Sequence, residues 1–172
     1  QEALGAVETL IKSYPNEPVP YNISGACYAS LGQLDTAVNS YEKSLTIKPE
    51  YAEAHNNLGV TLNELGQHDA AVNSYEKALA IKPDYAEAHN NLGNTLRELN
   101  RLDGAITSYQ KAIAIKSNYV EAHYSLGTTF QELGQLDDAV KSYKVVSVIK
   151  PNFAEVHNNL GNAFIDLGQL EA

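Results

Sequence analysis

One cysteine, Cys27, occurs in 172 residues. A single thiol excludes an intrachain disulfide framework and a zinc knuckle. It fits a reducing compartment, so a cytoplasmic setting is expected. Methionine is absent even at position 1, and the chain reads as a processed piece of something longer. No run of ~18 apolar residues occurs, so no membrane-spanning helix is expected. No charged segment followed by an apolar one opens the chain, so no signal peptide is visible. Positive charge is scarce: 12 Lys and Arg face 21 Asp and Glu, a net charge of −9. That deficit argues against nucleic acid as a partner and against an anionic membrane surface. Basic or neutral polar protein partners stay open. Gly-rich phosphate loops, nucleophile elbows and metalloprotease motifs are also missing. The chain is therefore expected to be no enzyme, and to carry neither cofactor nor metal.

What the chain has instead is a period. His55, His89, His123 and His157 are each 34 residues apart, as are Gly25, Gly59, Gly93, Gly127 and Gly161, and Tyr41, Tyr75, Tyr109 and Tyr143. Pro15, Pro49, Pro83 and Pro151 fall on the same grid, with Ser117 in the remaining slot. Self-similarity at this spacing marks stacked helical hairpins, none of which buries its apolar face alone.

Each repeat reads as two helices. The first carries Ala88, Leu92, Leu96 and Leu99 at helical spacing. Asp84 with Glu87, Asn118 with Glu121 and Asn152 with Glu155 are spaced as capping boxes, and Glu50 with Glu53 is a weaker version. Gly66, Gly134 and Gly168, with Asn100 once, sit where a left-handed residue ends a helix. Asp69, Asp103 and Asp137 then favour the next helix start. The second helix carries Ala105, Tyr109, Ala112, Ile113 and Ile115 and ends at Lys82, Lys116 or Lys150 before Pro83 or Pro151. Small residues at Gly59, Gly93, Ala71 and Ala105 let paired helices approach. Leu58, Leu92, Tyr75 and Tyr109 are expected to fill the space between repeats.

The pattern His89-x2-Leu92-Gly93-x2-Leu96…Ala105-x3-Tyr109, with Pro83 ahead of it, resembles the tetratricopeptide (TPR) repeat along the whole chain. The resemblance implies an all-α fold, a right-handed α-solenoid of antiparallel helix pairs. In that register residues 1–17 are the second helix of a preceding repeat. Full repeats run 18–51, 52–85, 86–119 and 120–153, and 154–172 is a partial repeat ending just inside a second helix. The repeat at 18–51 is the least regular, with Tyr21 for His, Ser24 for Leu, and Pro18 and Pro20 at its start. Val146 replaces the Ala78 and Ala112 of the middle repeats, an expected disturbance to packing.

The histidines do not read as a metal site. Residues 34 apart lie on the order of 10 Å apart when helices pack, while zinc requires its nitrogens at about 2.0–2.1 Å. Each imidazole is expected to fill an aromatic packing slot, His68 to lie solvated in a turn, and the four periodic tyrosines to be core. Tyr51, Tyr85, Tyr119 and Phe153 are expected to cover the seam between repeats.

The resemblance places the first helices on the concave side. Their non-core slots read Ile23, Asn57, Asn91, Ser125, Asn159; then Asn22, Asn56, Asn90, Tyr124, Asn158; then Ala26, Val60, Asn94, Thr128, Asn162; then Asn63, Arg97, Gln131. Glu64, Glu98, Glu132 and Asp166 follow. Asn costs up to about 0.7 kcal/mol of helix propensity, and an amide both donates and accepts. The candidate peptide-binding residues are therefore Asn56, Asn57, Asn63, Asn90, Asn91, Asn94, Arg97, Tyr124, Ser125, Thr128, Gln131, Asn158, Asn159 and Asn162. Asn-Leu-Gly at 57–59, 91–93 and 159–161 looks like the TPR superhelix of O-GlcNAc transferases, which implies a grip on polypeptide backbone. Asn22, Asn56 and Asn90 stand where carboxylate-clamp TPR modules need Lys. The expected function is a non-catalytic scaffold holding an extended polypeptide. The alternatives are self-assembly through open solenoid ends into homo-oligomers, or a substrate-recruiting arm of a larger glycosyltransferase.

Overall fold

A computed structural model describes residues 2–168, with side chains from residue 5 onward. Among them are ten helices and no strand. They are α1 (Glu2–Ser13), α2 (Pro18–Ser30), α3 (Leu34–Ile47), α4 (Ala52–Glu64), α5 (His68–Ile81), α6 (Ala86–Glu98), α7 (Leu102–Ile115), α8 (Val120–Glu132), α9 (Leu136–Ile149) and α10 (Ala154–Asp166). The fold is an all-α helical-repeat solenoid. The expected helix start at 170–172 lies outside the described residues.

The chain divides into two compact units, Gln1–Pro83 and Asp84–Ala172. In the first, α2 packs on α3 and α4 on α5 as hairpins, α3 joins the hairpins by packing on α4, and α1 lies on α2. In the second, α6 pairs with α7 and α8 with α9, α7 packs on α8, and α10 lies on α9. First helices also touch each other within a unit, α2 with α4 and α6 with α8. These two contacts position the candidate site.

Helices end where the sequence says they must. Gly66, Gly134 and Gly168 have φ of 74°, 71° and 67°, and Asn100 takes the same left-handed conformation at 56°. The backbone N–H groups of Gly66, Asn100 and Gly134 then bond carbonyls three residues back, at 2.9, 2.9 and 3.0 Å. Lys82, Lys116 and Lys150 are the C-cap residues of α5, α7 and α9.

Helix starts differ from the expected capping boxes. The N-cap residues are Tyr51, Tyr85, Tyr119 and Phe153, and none receives a side-chain cap hydrogen bond. Asp84, Asn118 and Asn152 lie one residue too early, in the preceding turn. An aromatic residue occupies the cap position instead, and a lysine lies over the ring at three of them. Lys48 Nζ lies 5.1 Å from the centre of the Tyr51 ring, Lys116 4.5 Å from Tyr119 and Lys150 4.8 Å from Phe153. Glu53, Glu87, Glu121 and Glu155 remain in the first turns, where the helix dipole favours them.

The core is built from Gly–Tyr pairs. Tyr41, Tyr75, Tyr109 and Tyr143 are at most 2% exposed. Each ring lies against the glycine of its own hairpin: a Cβ on Gly25, Gly59, Gly93 or Gly127 would sit 2.6–2.7 Å from the nearest ring atom. The tyrosines therefore fill the space inside a hairpin, in contrast to the expected place of Tyr75 and Tyr109 between repeats. Ala37, Ala71, Ala105 and Ala139 are fully buried beside them. Val146 disturbs nothing: it is fully buried in a cluster with Tyr143, Val156 and Leu160. The irregular repeat at 18–51 still forms a 13-residue first helix, because Pro18 occupies the first turn, where a missing N–H costs little.

Candidate functional site

The candidate residues lie along the first helices: α2 and α4 in one unit, and α6, α8 and α10 in the other. The structure ties many of them together across neighbouring helices. In the first unit Asn57 Nδ2 on α4 donates to Asn22 Oδ1 on α2 at 3.1 Å, and Asn22 Nδ2 reaches the Tyr51 hydroxyl at 3.5 Å. Asn56 is buried, at 6% exposure. Asn63 is tied to the start of the next helix, where His68 Nδ1–H donates to its Oδ1 at 2.9 Å. His68 is thus the half-buried first residue of α5, contrary to its expected place in a solvated turn.

The second unit holds a larger network. Tyr143 donates its hydroxyl to Gln131 Oε1 at 2.9 Å and lies 3.3 Å from the Thr128 hydroxyl. Asn159 Nδ2 on α10 reaches the Tyr124 hydroxyl on α8 at 3.3 Å and the Tyr143 hydroxyl at 3.5 Å. The Tyr109 hydroxyl donates to Asn94 Oδ1 at 2.9 Å, and Ser125 Oγ donates to the same oxygen at 3.3 Å. Arg97 pairs with Glu132 at 3.4 Å between α6 and α8. The Tyr124 ring lies 5.2 Å from Phe153 and 6.0 Å from Tyr143. Asn90 is buried, Asn91 half-buried, and Asn158 and Asn162 exposed.

Two consequences follow for the chemistry of this face. Asn22, Asn57, Asn94 and Asn159 are preorganised, because bonds to neighbouring helices fix their orientation. They are also only partly used, since a carboxamide carries two N–H donors and two acceptor lone pairs and a rung such as Asn57–Asn22 consumes one donor and one lone pair. Burial pushes the Tyr109 hydroxyl up to about 12, opposed by Arg97 and raised further by Glu132. Burial pushes Tyr143 up as well. Both stay protonated donors through the physiological range, so these two hydroxyls orient amides rather than carry charge.

Sequence reasoning missed the diagonal of these bonds. Asn57–Asn22, Asn159–Tyr124 and Arg97–Glu132 are each 35 residues apart, one more than the repeat. Pairing each slot with the preceding slot of the previous repeat would have found them. It also missed what the histidines do. The Nε2–H groups of His55, His123 and His157 donate to the carbonyls of Pro49, Ser117 and Pro151 at 2.9, 2.9 and 2.6 Å, and so hold the turns that enter α4, α8 and α10. Burial holds the His55 imidazole below its ordinary value, the Pro49 carbonyl opposing and Lys77 adding. Among the described residues no group of three or more His, Cys, Asp or Glu is arranged to hold a metal ion, and no helix is long and apolar enough to cross a membrane.

No curated protein sequence matches this chain. Several solved structures share its fold. The crystal structure of MamA protein superposes with a TM-score of 0.82 at 29% identity, over 88% of this chain and 83% of that one. PilW, described as a widely conserved type IV pilus biogenesis factor, superposes with a TM-score of 0.85 at 25% identity, over 96% and 77%. YrrB, described as a TPR protein with an unusual peptide-binding site, superposes with a TM-score of 0.83 at 24% identity, over 98% and 87%. The TPR repeat family model matches residues 25–66, 61–96, 93–134 and 129–168. With that match over most of its length, and with hairpins closed by Gly–Tyr pairs in both units, the chain belongs to the tetratricopeptide repeat family.

Proposed function

We propose that the amide-bearing faces of the first helices hold an extended polypeptide, chiefly through its backbone. TPR proteins bind peptides or proteins and are generally non-catalytic scaffolds. The observation that carries this reading is that Asn57, Asn94 and Asn159 are held in fixed orientation on those helices by hydrogen bonds to neighbouring helices. A peptide backbone offers one N–H and one C=O per residue, which complements a row of carboxamides whatever the side chains are. The same logic underlies the likeness of the Asn-Leu-Gly pattern to the superhelix of O-GlcNAc transferases. YrrB, at 24% identity, speaks for the fold alone. Exposed Glu64, Glu98, Glu132 and Asp166 near the ends of these helices, and the net charge of −9, favour basic or neutral polar segments over acidic ones.

The test is the triple variant Asn57→Ala, Asn91→Ala, Asn159→Ala, assayed against fluorescently labelled Lys/Ser-rich and Glu-rich peptides. Three hydrogen bonds at about 1 kcal/mol each weaken binding on the order of a hundredfold. Far-UV circular dichroism stays helical, and the Glu-rich peptide binds least to the parent. Equal binding by parent and triple variant, with folding intact, removes these faces from the function.

A further inference from the structure

Asn22–Asn57 and Tyr124–Asn159 define a diagonal: a side chain on one first helix meets the residue 35 positions later on the next. At Asn90 that partner is Ser125, a shorter residue. Its hydroxyl turns to Asn94 Oδ1 instead, at 3.3 Å. Asn90 Oδ1 is left buried with no hydrogen-bond partner, in a residue only 6% exposed. Buried acceptors without donors are rare in native folds, and each calls for an explanation.

A cavity of about 300 Å³ lies at this broken rung. Asn90, Asn94 and Ser125 form its polar side, and Val120, Tyr124 and Phe153 supply apolar surface. Asn94 is fixed in orientation, since its oxygen accepts from both Tyr109 and Ser125. Its Nδ2 group has no acceptor among the described residues. Two residues lining the cavity, one helical turn apart on α6, thus carry one acceptor without a donor and one donor without an acceptor.

We propose that this cavity takes a neutral carboxamide, the side chain of a glutamine or asparagine on the bound polypeptide. The ligand N–H donates to Asn90 Oδ1, and the ligand C=O accepts from Asn94 Nδ2. The methylene stem runs against Val120 and Phe153. The inference rests on the reading that the first helices bind polypeptide, and it adds the one side chain that sets the register. Other chemistries fit less well. A carboxylate brings a second acceptor against Asn90 Oδ1. An ammonium group satisfies that oxygen but opposes the Asn94 N–H donors. An apolar side chain satisfies neither. Exposed Glu121 and Lys150 complete the lining with opposite charges, so a charged ligand gains no net attraction there.

The probe is N-acetylglutamine methylamide, titrated into the protein while the side-chain amide signals of Asn90 and Asn94 are followed by ¹H–¹⁵N NMR. The glutamate, lysine and norleucine analogues are run beside it at equal concentration. The expected result is saturable movement of both signals with the glutamine analogue, at least threefold larger than with any other. Ser125→Asn restores the rung and removes the response, while the protein still melts cooperatively. Equal response to all four analogues, or an undiminished response in Ser125→Asn, overturns the proposal. A protein that loses peptide binding in the triple asparagine variant yet shows no preference for the glutamine probe overturns this pocket alone. A parent protein that binds no extended peptide overturns the wider reading.

Discussion

Gly93→Val is expected to unfold the second unit near physiological temperature. Any Cβ at position 93 would lie 2.6, 2.8 and 2.9 Å from three atoms of the Tyr109 ring, separations that real Cβ atoms do not show. The ring has no room to retreat, because Tyr109 is fully buried and its hydroxyl is tied to Asn94. Overpacking of this kind costs about 1–3 kcal/mol, and a β-branched residue in a helix interior belongs at or above the upper end. A loss of about 3 kcal/mol lowers the melting temperature by roughly 12–24 °C in a unit of this size. Two controls separate the clash from helix propensity. Gly161→Ala adds a Cβ that meets nothing within 4 Å and is expected to stabilise α10 by about 0.5–1 kcal/mol. Tyr109→Leu in the Gly93→Val background removes the clashing ring atoms and recovers part of the loss. Thermal melts followed by circular dichroism read all three, and a Gly93→Val protein melting with its parent contradicts the packing described above.

The second large effect is alkaline unfolding. Burial pushes Tyr41 up to about 12, with the Thr61 hydrogen bond opposing and Cys27 and Glu64 adding. Tyr109 is also pushed up to about 12, and Tyr119 and Tyr143 move the same way. In the unfolded chain a tyrosine ionises near 10. Below pH 10 both states hold their protons, and this contribution to stability is fully present. Between pH 10 and 12 the unfolded chain releases protons that the folded chain keeps, so stability falls as pH rises. The melting temperature is therefore expected to stay level up to about pH 9.5 and to drop steeply across the next two units. Tyr109→Phe makes the drop shallower, although losing the bond to Asn94 lowers stability at neutral pH. Tyrosinate absorbance rising near pH 10 in step with the exposed tyrosines, without any loss of melting temperature, contradicts the assignment of these hydroxyls to the core.

Much of this was legible in the sequence because the period writes each structural rule several times. Gly66, Gly134 and Asn100 announce left-handed helix ends through their residue types alone. The Gly–Tyr grid announces close helix approach, although the partner of each ring, the glycine of its own hairpin, depends on how the two helices face each other. Capping differs from what spacing implies: Asp84 and Glu87 are spaced for a box, yet Tyr85 occupies the cap position one residue later. Spacing alone does not weigh an aromatic anchor against a carboxylate hydrogen bond. The sequence places the histidines in packing slots, while the link of His55, His123 and His157 to the carbonyl six residues back depends on the path of the intervening turn.

The candidate face was legible as a list of residues and not as a network. Reading down columns at a spacing of 34 groups Asn57 with Asn91, Ser125 and Asn159, but the bonds join positions 35 apart. Seen in columns, Ser125 is a weak member of a ladder. Seen on the diagonal, it is the missing partner of Asn90. Burial of Asn90 was not legible either, because an amide in a helix carries no sign of how closely the next first helix approaches.

The central claim is that carboxamides on the first helices hold polypeptide backbone with little regard to side chain. Its most direct test compares, by calorimetry, a Lys/Ser-rich binding peptide with two derivatives. In one the sequence is scrambled, with any carboxamide residue kept in place. In the other the side chains are unchanged and alternate backbone nitrogens are methylated. The expected result is that scrambling changes the affinity by less than about threefold, while methylation, which removes backbone donors at about 1 kcal/mol each, abolishes measurable binding. Binding that survives methylation and is lost on scrambling contradicts the claim.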